Sequence, residues 1–256
     1  MNIKKQFERG CHGFTLMELM VVMSIIGVLA AMAFPMINAA MDHSKRTICA
    51  SNLKQLAAAL TAYADEHGGR LAGSGGSAKS QADPHDLKAW YNALATYLDC
   101  EPFTTLVDKS AIPMPGSGSK SPFVCPACPL PPGVTADRYF GSYAQNVWIT
   151  GGVGRGMPLL VHQIENPSRF VFFADNCVFT SGSGSRHTYA AIHASQMLGV
   201  KGTGSFRHGK YTNICFADGR VQNMIPEQVR YSGMSDSENY GFADWNPNEP
   251  SAKDTE

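Results

Sequence analysis

Residues 9–35 read RGCHGFTLMELMVVMSIIGVLAAMAFP, and this stretch decides how the rest of the chain is understood. A short polar and basic segment ends at Gly13. Phe14-Thr15-Leu16-Met17-Glu18 then opens a long apolar run, and no charged residue occurs from Leu19 to Met41. Eighteen or more apolar residues in a row mark a candidate membrane helix. Glu18 makes the run unusual. A carboxylate at membrane depth costs ~2.5–3.5 kcal/mol on insertion scales, so one found there calls for a partner.

A partner arises if the chain is cut after Gly13. Phe14 then carries a free α-amino group, whose reference pKa of ~8 keeps it cationic at neutral pH. That ammonium and Glu18 are the opposite charges available at this depth. Neighbouring copies in a bundle can pair them between molecules. An ordinary signal peptide has its apolar region before the cut; here the polar segment precedes the apolar run.

Gly13, Phe14, Thr15, Leu16, Glu18, the following apolar run and Pro35 resemble the N-terminus of type IV prepilins and type II secretion pseudopilins. The resemblance implies cleavage by a prepilin peptidase between Gly13 and Phe14, N-methylation of Phe14, and a role for Glu18 in guiding assembly. It implies a pilin-like α+β fold, a long apolar helix packed against a β-rich head. The implied partners are prepilin peptidase, other pilin or pseudopilin subunits, an inner-membrane assembly platform and membrane lipid. Some pseudopilins of the secretion family bind calcium, but no cofactor and no metal are expected here.

Charge supports a tethered extracytoplasmic protein. The chain carries 21 basic and 21 acidic residues, and loss of residues 1–13 leaves about two net negative charges. No basic patch points to nucleic acid. Lys4, Lys5 and Arg9 precede the apolar run, so the N-terminus is expected on the cytoplasmic side and the bulk of the chain outside. The expected organisation is a leader over residues 1–13, a stem helix over 14–67 with its membrane or filament part at 14–41, a head over 68–234 and a polar tail over 235–256.

Beyond Met41 the pattern becomes striped. Cys49, Leu53, Leu56, Leu60 and Tyr63 line one helical face, and Gly68-Gly69 is a stop signal. A helix over 14–67 would span roughly 80 Å. Pro35 is tolerable as a kink in a membrane bundle. Residues 69–82 read as a loop. A second helix is expected from Asp83, with Pro84 at its first position and a stripe of Leu87, Trp90, Tyr91, Leu94, Tyr97 and Leu98. Strands are expected over 138–149, 169–174, 211–217 and 220–225. Asp218-Gly219 between the last two predicts a two-residue type I′ hairpin.

Six cysteines follow the leader: Cys49, Cys100, Cys125, Cys128, Cys177 and Cys215. Six allow fifteen pairings. Cys125-Pro126-Ala127-Cys128 reads as a redox motif, half a zinc site or a tight loop. It lacks a second pair at zinc spacing and a surrounding βαβ pattern, so structural cysteines or a local Cys125–Cys128 bridge are expected.

His208, nine residues, then Asp218-Gly219 resembles the H-x9-D-G signature of prepilin-like proteins of planctomycetes, lentisphaerae and verrucomicrobia. Echoes at Asn52-Leu53-Lys54-Gln55, Phe123-Val124-Cys125-Pro126, Ser142-Tyr143-Ala144 and Asn166-Pro167-Ser168 accompany it. His208, Asp175 and Asp218 can be read as a metal cluster, but the ligand set is incomplete for calcium. Asp218 as turn former and His208 as brace of the same hairpin are the structural reading. No serine sits in a G-x-S-x-G context, so a hydrolase is not expected. The expected function is a non-catalytic pseudopilin or pilin-like subunit. The alternative is an anchored binding module, with Tyr231, Tyr240 and Trp245 as faint hints of a ligand surface.

Overall fold

The structure is a computed structural model that describes residues 14–73, 85–109, 121–128, 141–150, 157–176, 179–180, 186–187, 191–192, 207–209, 211–225 and 228. Gly13, Cys177, Tyr231, Tyr240, Trp245 and the expected leader and tail lie outside these residues. The chain divides into two compact units, Met1–His43 and Ser44–Glu256.

Helix α1 runs over Leu16–Glu66 and continues through Pro35. In the first unit every large apolar side chain from Phe14 to Met41 is exposed, by 44–78 %. A helix apolar all round is one built to be surrounded by something apolar. Length and composition make it a candidate membrane span.

In the second unit the same helix becomes one-sided. Cys49, Leu53, Leu56 and Leu60 are fully buried and Tyr63 half-buried, as the stripe predicts. The end of α1 is a Schellman motif. Gly68 takes φ +64° and the Gly69 N–H donates to the Ala64 carbonyl at 2.8 Å, a 6→1 bond that satisfies a last-turn carbonyl.

The buried stripe packs against a sheet. Strands β1 (Tyr143–Asn146), β2 (Val171–Asp175), β6 (Thr212–Phe216) and β7 (Val221–Met224) form an antiparallel meander. Strand β5 (Ala191–Ile192) adds to β1 in parallel, and β3 (Phe179–Thr180) pairs with β4 (Arg186–His187) apart from the sheet. All residues of β1, β2 and β6 are buried, so both faces of the central strands are covered. The fold is thus α+β and pilin-like: a long N-terminal helix over a four-stranded antiparallel sheet.

Three expectations change. Asp83 and Pro84, the expected start of the second helix, lie outside the described residues, and from residue 85 on the segment forms only α2 (Trp90–Ala93) and a 3-10 turn (Thr96–Leu98), followed by α3 (Phe103–Lys109). Ala89 is extended, bridged to Gly73, and the Trp90 N–H donates to the Gly73 carbonyl at 2.7 Å. That strand-like tie stops a helix from starting earlier, and Leu87 is left exposed. Residues 138–140 of the strand expected over 138–149 lie outside the described residues, and the strand ends at Asn146 because Val147–Thr150 coils into a 3-10 turn.

The β6–β7 hairpin differs in its turn. Gly219 has φ +81° while Asp218 does not share a positive φ. The Gly219 N–H donates to the Phe216 carbonyl at 3.0 Å, and the Phe216 N–H to the Arg220 carbonyl at 2.9 Å. This is a three-residue loop, a type I turn closed by a left-handed glycine. Pairing of Cys215 with Val221 sets the loop length.

Candidate functional site

Two places among the described residues carry chemistry. The first is the start of α1. The Thr15 N–H and hydroxyl both donate to Glu18 Oε2, at 2.9 and 2.8 Å, and the Glu18 N–H donates to Thr15 Oγ1 at 3.2 Å. Thr15 and Glu18 are therefore a reciprocal capping box. Thr-x-x-Glu is a sequence signature of this motif, and it is the local reason the helix begins here. Glu18 thus has a job within its own chain. A carboxylate has about four acceptor positions, so the cap leaves capacity for a cation from another molecule.

The second place is in the head, where three segments converge on the end of β2. Cys49 on α1 is disulfide-bonded to Cys125, 76 residues away. The local Cys125–Cys128 bridge is therefore not formed; the bridge ties the stem helix to the head instead. Cys128 lies outside it, though its N–H donates to the Cys125 carbonyl at 2.9 Å, making the tight loop that the spacing allows. Asn52, one helical turn on from Cys49, donates from Nδ2 to the Val124 carbonyl at 2.8 Å and to the Tyr143 hydroxyl at 3.3 Å. The Tyr143 hydroxyl donates to the Cys49 carbonyl at 3.4 Å.

Asp175 ends β2 opposite Tyr143 and is fully buried. Its Oδ2 accepts the Asn213 N–H at 2.7 Å and lies 3.6 Å from His208 Nε2. The same Nε2 is 3.7 Å from Cys125 Sγ. Burial pushes the Asp175 carboxyl up to about 6, although the Arg207 guanidinium and the Asn213 hydrogen bonds favour its charged form. Arg207 in turn donates to the Asn176 carbonyl. Burial also raises the Tyr143 phenol above its usual range.

His208 thus faces Asp175 and the disulfide. Asp218 shapes the β6–β7 turn: its N–H donates to the Pro167 carbonyl at 3.1 Å and its Oδ1 accepts the Arg220 N–H at 2.9 Å. Pro167 precedes β2 and Asp175 ends it, so Asp175 and Asp218 sit at opposite ends of the strand and do not converge. Sequence reasoning missed Cys49 as a neighbour of His208, and Arg207 and Asn213 as neighbours of Asp175. Cys49 carries no signal beyond being a cysteine on the buried stripe.

Residues 9–34 match the prokaryotic N-terminal methylation motif. The chain is also similar to type II secretion system core protein G of Pseudomonas aeruginosa, 45 % identical over 56 residues. That alignment covers 22 % of this chain and 39 % of the relative's length. No solved structure matches the chain. The chain thus carries a type IV pilin-like methylation motif at the start of a pilin-like fold.

Proposed function

We propose that the chain is a pseudopilin or type IV pilin-like structural subunit rather than an enzyme. It is cut by prepilin peptidase between Gly13 and Phe14, methylated on Phe14, anchored in the inner membrane with the head outside, and assembled into a pilus or secretion pseudopilus. The observation that carries this reading is the uncovered apolar stretch over residues 14–41, most of it within the methylation motif and opened by a carboxylate. Such a surface needs lipid or the same helix from other copies around it. In a bundle of copies, Glu18 pairs with the N-terminal amine of a neighbour, because neither charge is stable alone in an apolar layer.

Intact mass and N-terminal sequencing of the membrane-extracted protein test the processing. A chain beginning at N-methyl-Phe14 supports the proposal; a chain still bearing Met1 in cells with active peptidase removes it. The capping box dictates the variant for the assembly step. Glu18→Ala would lose both the cap and the charge. Glu18→Gln keeps a side-chain acceptor for Thr15 and removes only the charge. Glu18→Gln chains are expected to be processed and retained in the membrane yet absent from sheared filaments. Wild-type incorporation of Glu18→Gln refutes the charge pairing.

A further inference from the structure

The side chains around the end of β2 form more than a structural knot. The ligand-capable atoms of Cys49, Cys125 and His208 all lie within 4.8 Å of one another, and all three residues are buried. Asp175 Oδ2 stands 3.6 Å from the histidine nitrogen. Its other oxygen, Oδ1, is buried with no hydrogen-bond partner among the described residues. An unpartnered buried carboxylate oxygen costs free energy, and it lies on the residue that faces the sulfur–imidazole pair.

The geometry argues against a proton relay. A relay places the acid on one ring nitrogen and the nucleophile on the other. Here Asp175 Oδ2 and Cys125 Sγ approach the same nitrogen, Nε2. Both separations, 3.6 and 3.7 Å, exceed a good hydrogen bond. They match another arrangement. Ligands about 2.0–2.3 Å from a tetrahedral zinc ion stand about 3.3–3.8 Å apart. Two sulfurs, one imidazole nitrogen and one carboxylate oxygen are a donor set that zinc accepts.

We propose that Cys49, Cys125 and His208, with Asp175 beside the imidazole, form a redox-gated site for zinc(II) or a cation of like character. The site is closed while the disulfide stands and opens once its sulfurs are reduced. An external dithiol supplies the two electrons. The Cys49–Cys125 bond breaks, the dithiol closes to its own disulfide, and its two protons pass to the cysteine sulfurs. Zinc then binds both thiolates and displaces those protons to solvent. Bridge and metal are mutually exclusive, and each ties the stem helix to the loop at Cys125. The head would keep this cross-link in oxidising and in reducing surroundings by two different chemistries.

The test uses the full chain in mild detergent, oxidised or reduced and desalted without oxygen, then loaded with zinc or cobalt(II) and gel-filtered. The reduced chain is expected to retain about one metal ion and the oxidised chain none. The cobalt form should show tetrahedral ligand-field bands with charge transfer from two thiolates. His208→Ala and Asp175→Asn should each weaken binding at least about tenfold, the loss that even outer-shell partners cause, while Cys128→Ser binds as wild type. Should the variants fold poorly, alkylation of the wild-type chain decides. Metal-dependent protection at Cys49 and Cys125 supports the site. No metal on the reduced chain, metal on the oxidised chain, or protection mapped to Cys100, Cys128 or Cys215 overturns it.

Discussion

The Cys49–Cys125 bridge makes the sharpest quantitative claim about this head. It closes a loop of 76 residues between the stem helix and the segment that carries Phe123 and Val124. The chain-entropy relation for a loop of that length gives about 4.5 kcal/mol of stabilisation at 25 °C. Domains of ordinary size are stable by only ~5–15 kcal/mol, so removing the bridge should consume at least about 30 % of the total. Alanine is the better replacement at both ends. Cys49 and Cys125 are fully buried, and a serine there would add a buried hydroxyl costing about 1–3 kcal/mol.

The assay is urea unfolding in mild detergent with a chelator present, followed by tryptophan fluorescence. Circular dichroism is a poor reporter, because detergent keeps the apolar part of α1 helical whether or not the head is folded. Trp90 is a good one. It is buried, with its ring 5.9 Å from Phe123 and 5.1 Å from Phe173. Cys49→Ala and Cys125→Ala should each lose about 4–5 kcal/mol, and the double variant should lose no more than either single, since one bond is removed in every case. Adding a reductant should destabilise the wild type to the same level and leave the variants unmoved. A loss below about 1 kcal/mol, or single losses that add in the double variant, would refute the entropic account and assign the damage to local packing.

Two further outcomes are expected. Asp175 has a carboxyl raised from 3.8 to about 6 by burial. Its contribution to stability is therefore present below about pH 4 and lost as pH rises through 6, on the order of 2–3 kcal/mol. Asp175→Asn should flatten that part of the pH dependence in urea titrations run with chelator, and an unchanged profile would show that another group sets it. Gly219 sits at φ +81° with open space where a Cβ would go. Gly219→Ala should cost about 1–2 kcal/mol from backbone conformation alone, visible as a lower urea midpoint at unchanged slope; an unshifted midpoint would mean that the turn can relax.

What the sequence reveals and what it hides divide by the range of the interaction. The stripe Cys49, Leu53, Leu56, Leu60 is readable because one helix face meets one sheet. The strands are readable because aromatic and β-branched residues cluster there. The segment around Trp90 misleads for a physical reason. Its apolar spacing imitates a helix face, yet Trp90 is enclosed from several directions, by Tyr91, Phe123 and Phe173, and Gly73 holds its backbone. The hairpin is readable in place but not in type, since the pairing of Phe216 with Arg220 is a matter of register. His208 is the clearest case. Nine residues from Asp218-Gly219, it reads as part of that turn, but its partners Asp175 and Cys125 come from other segments that only the folded sheet brings near.

The capping box at Glu18 changes how the proposed filament should be understood. Oε2 is committed to Thr15 within the same chain, which fixes the carboxylate at the positive end of the helix dipole, where an anion is stabilised. It is held in place before any neighbour arrives, so less side-chain freedom is lost when a neighbour's amine binds. In a bundle of processed chains every subunit would bring one ammonium and one such carboxylate to the same apolar layer, and the layer would be neutral copy by copy. Glu18→Gln leaves the cap and takes away only the anion. Each added subunit would then bring an unpaired cation, and the penalty would grow with filament length. The defect should therefore appear in assembly and not in the fold or membrane retention of the single chain, and that separation is what distinguishes a carboxylate that merely starts a helix from one that also joins two of them.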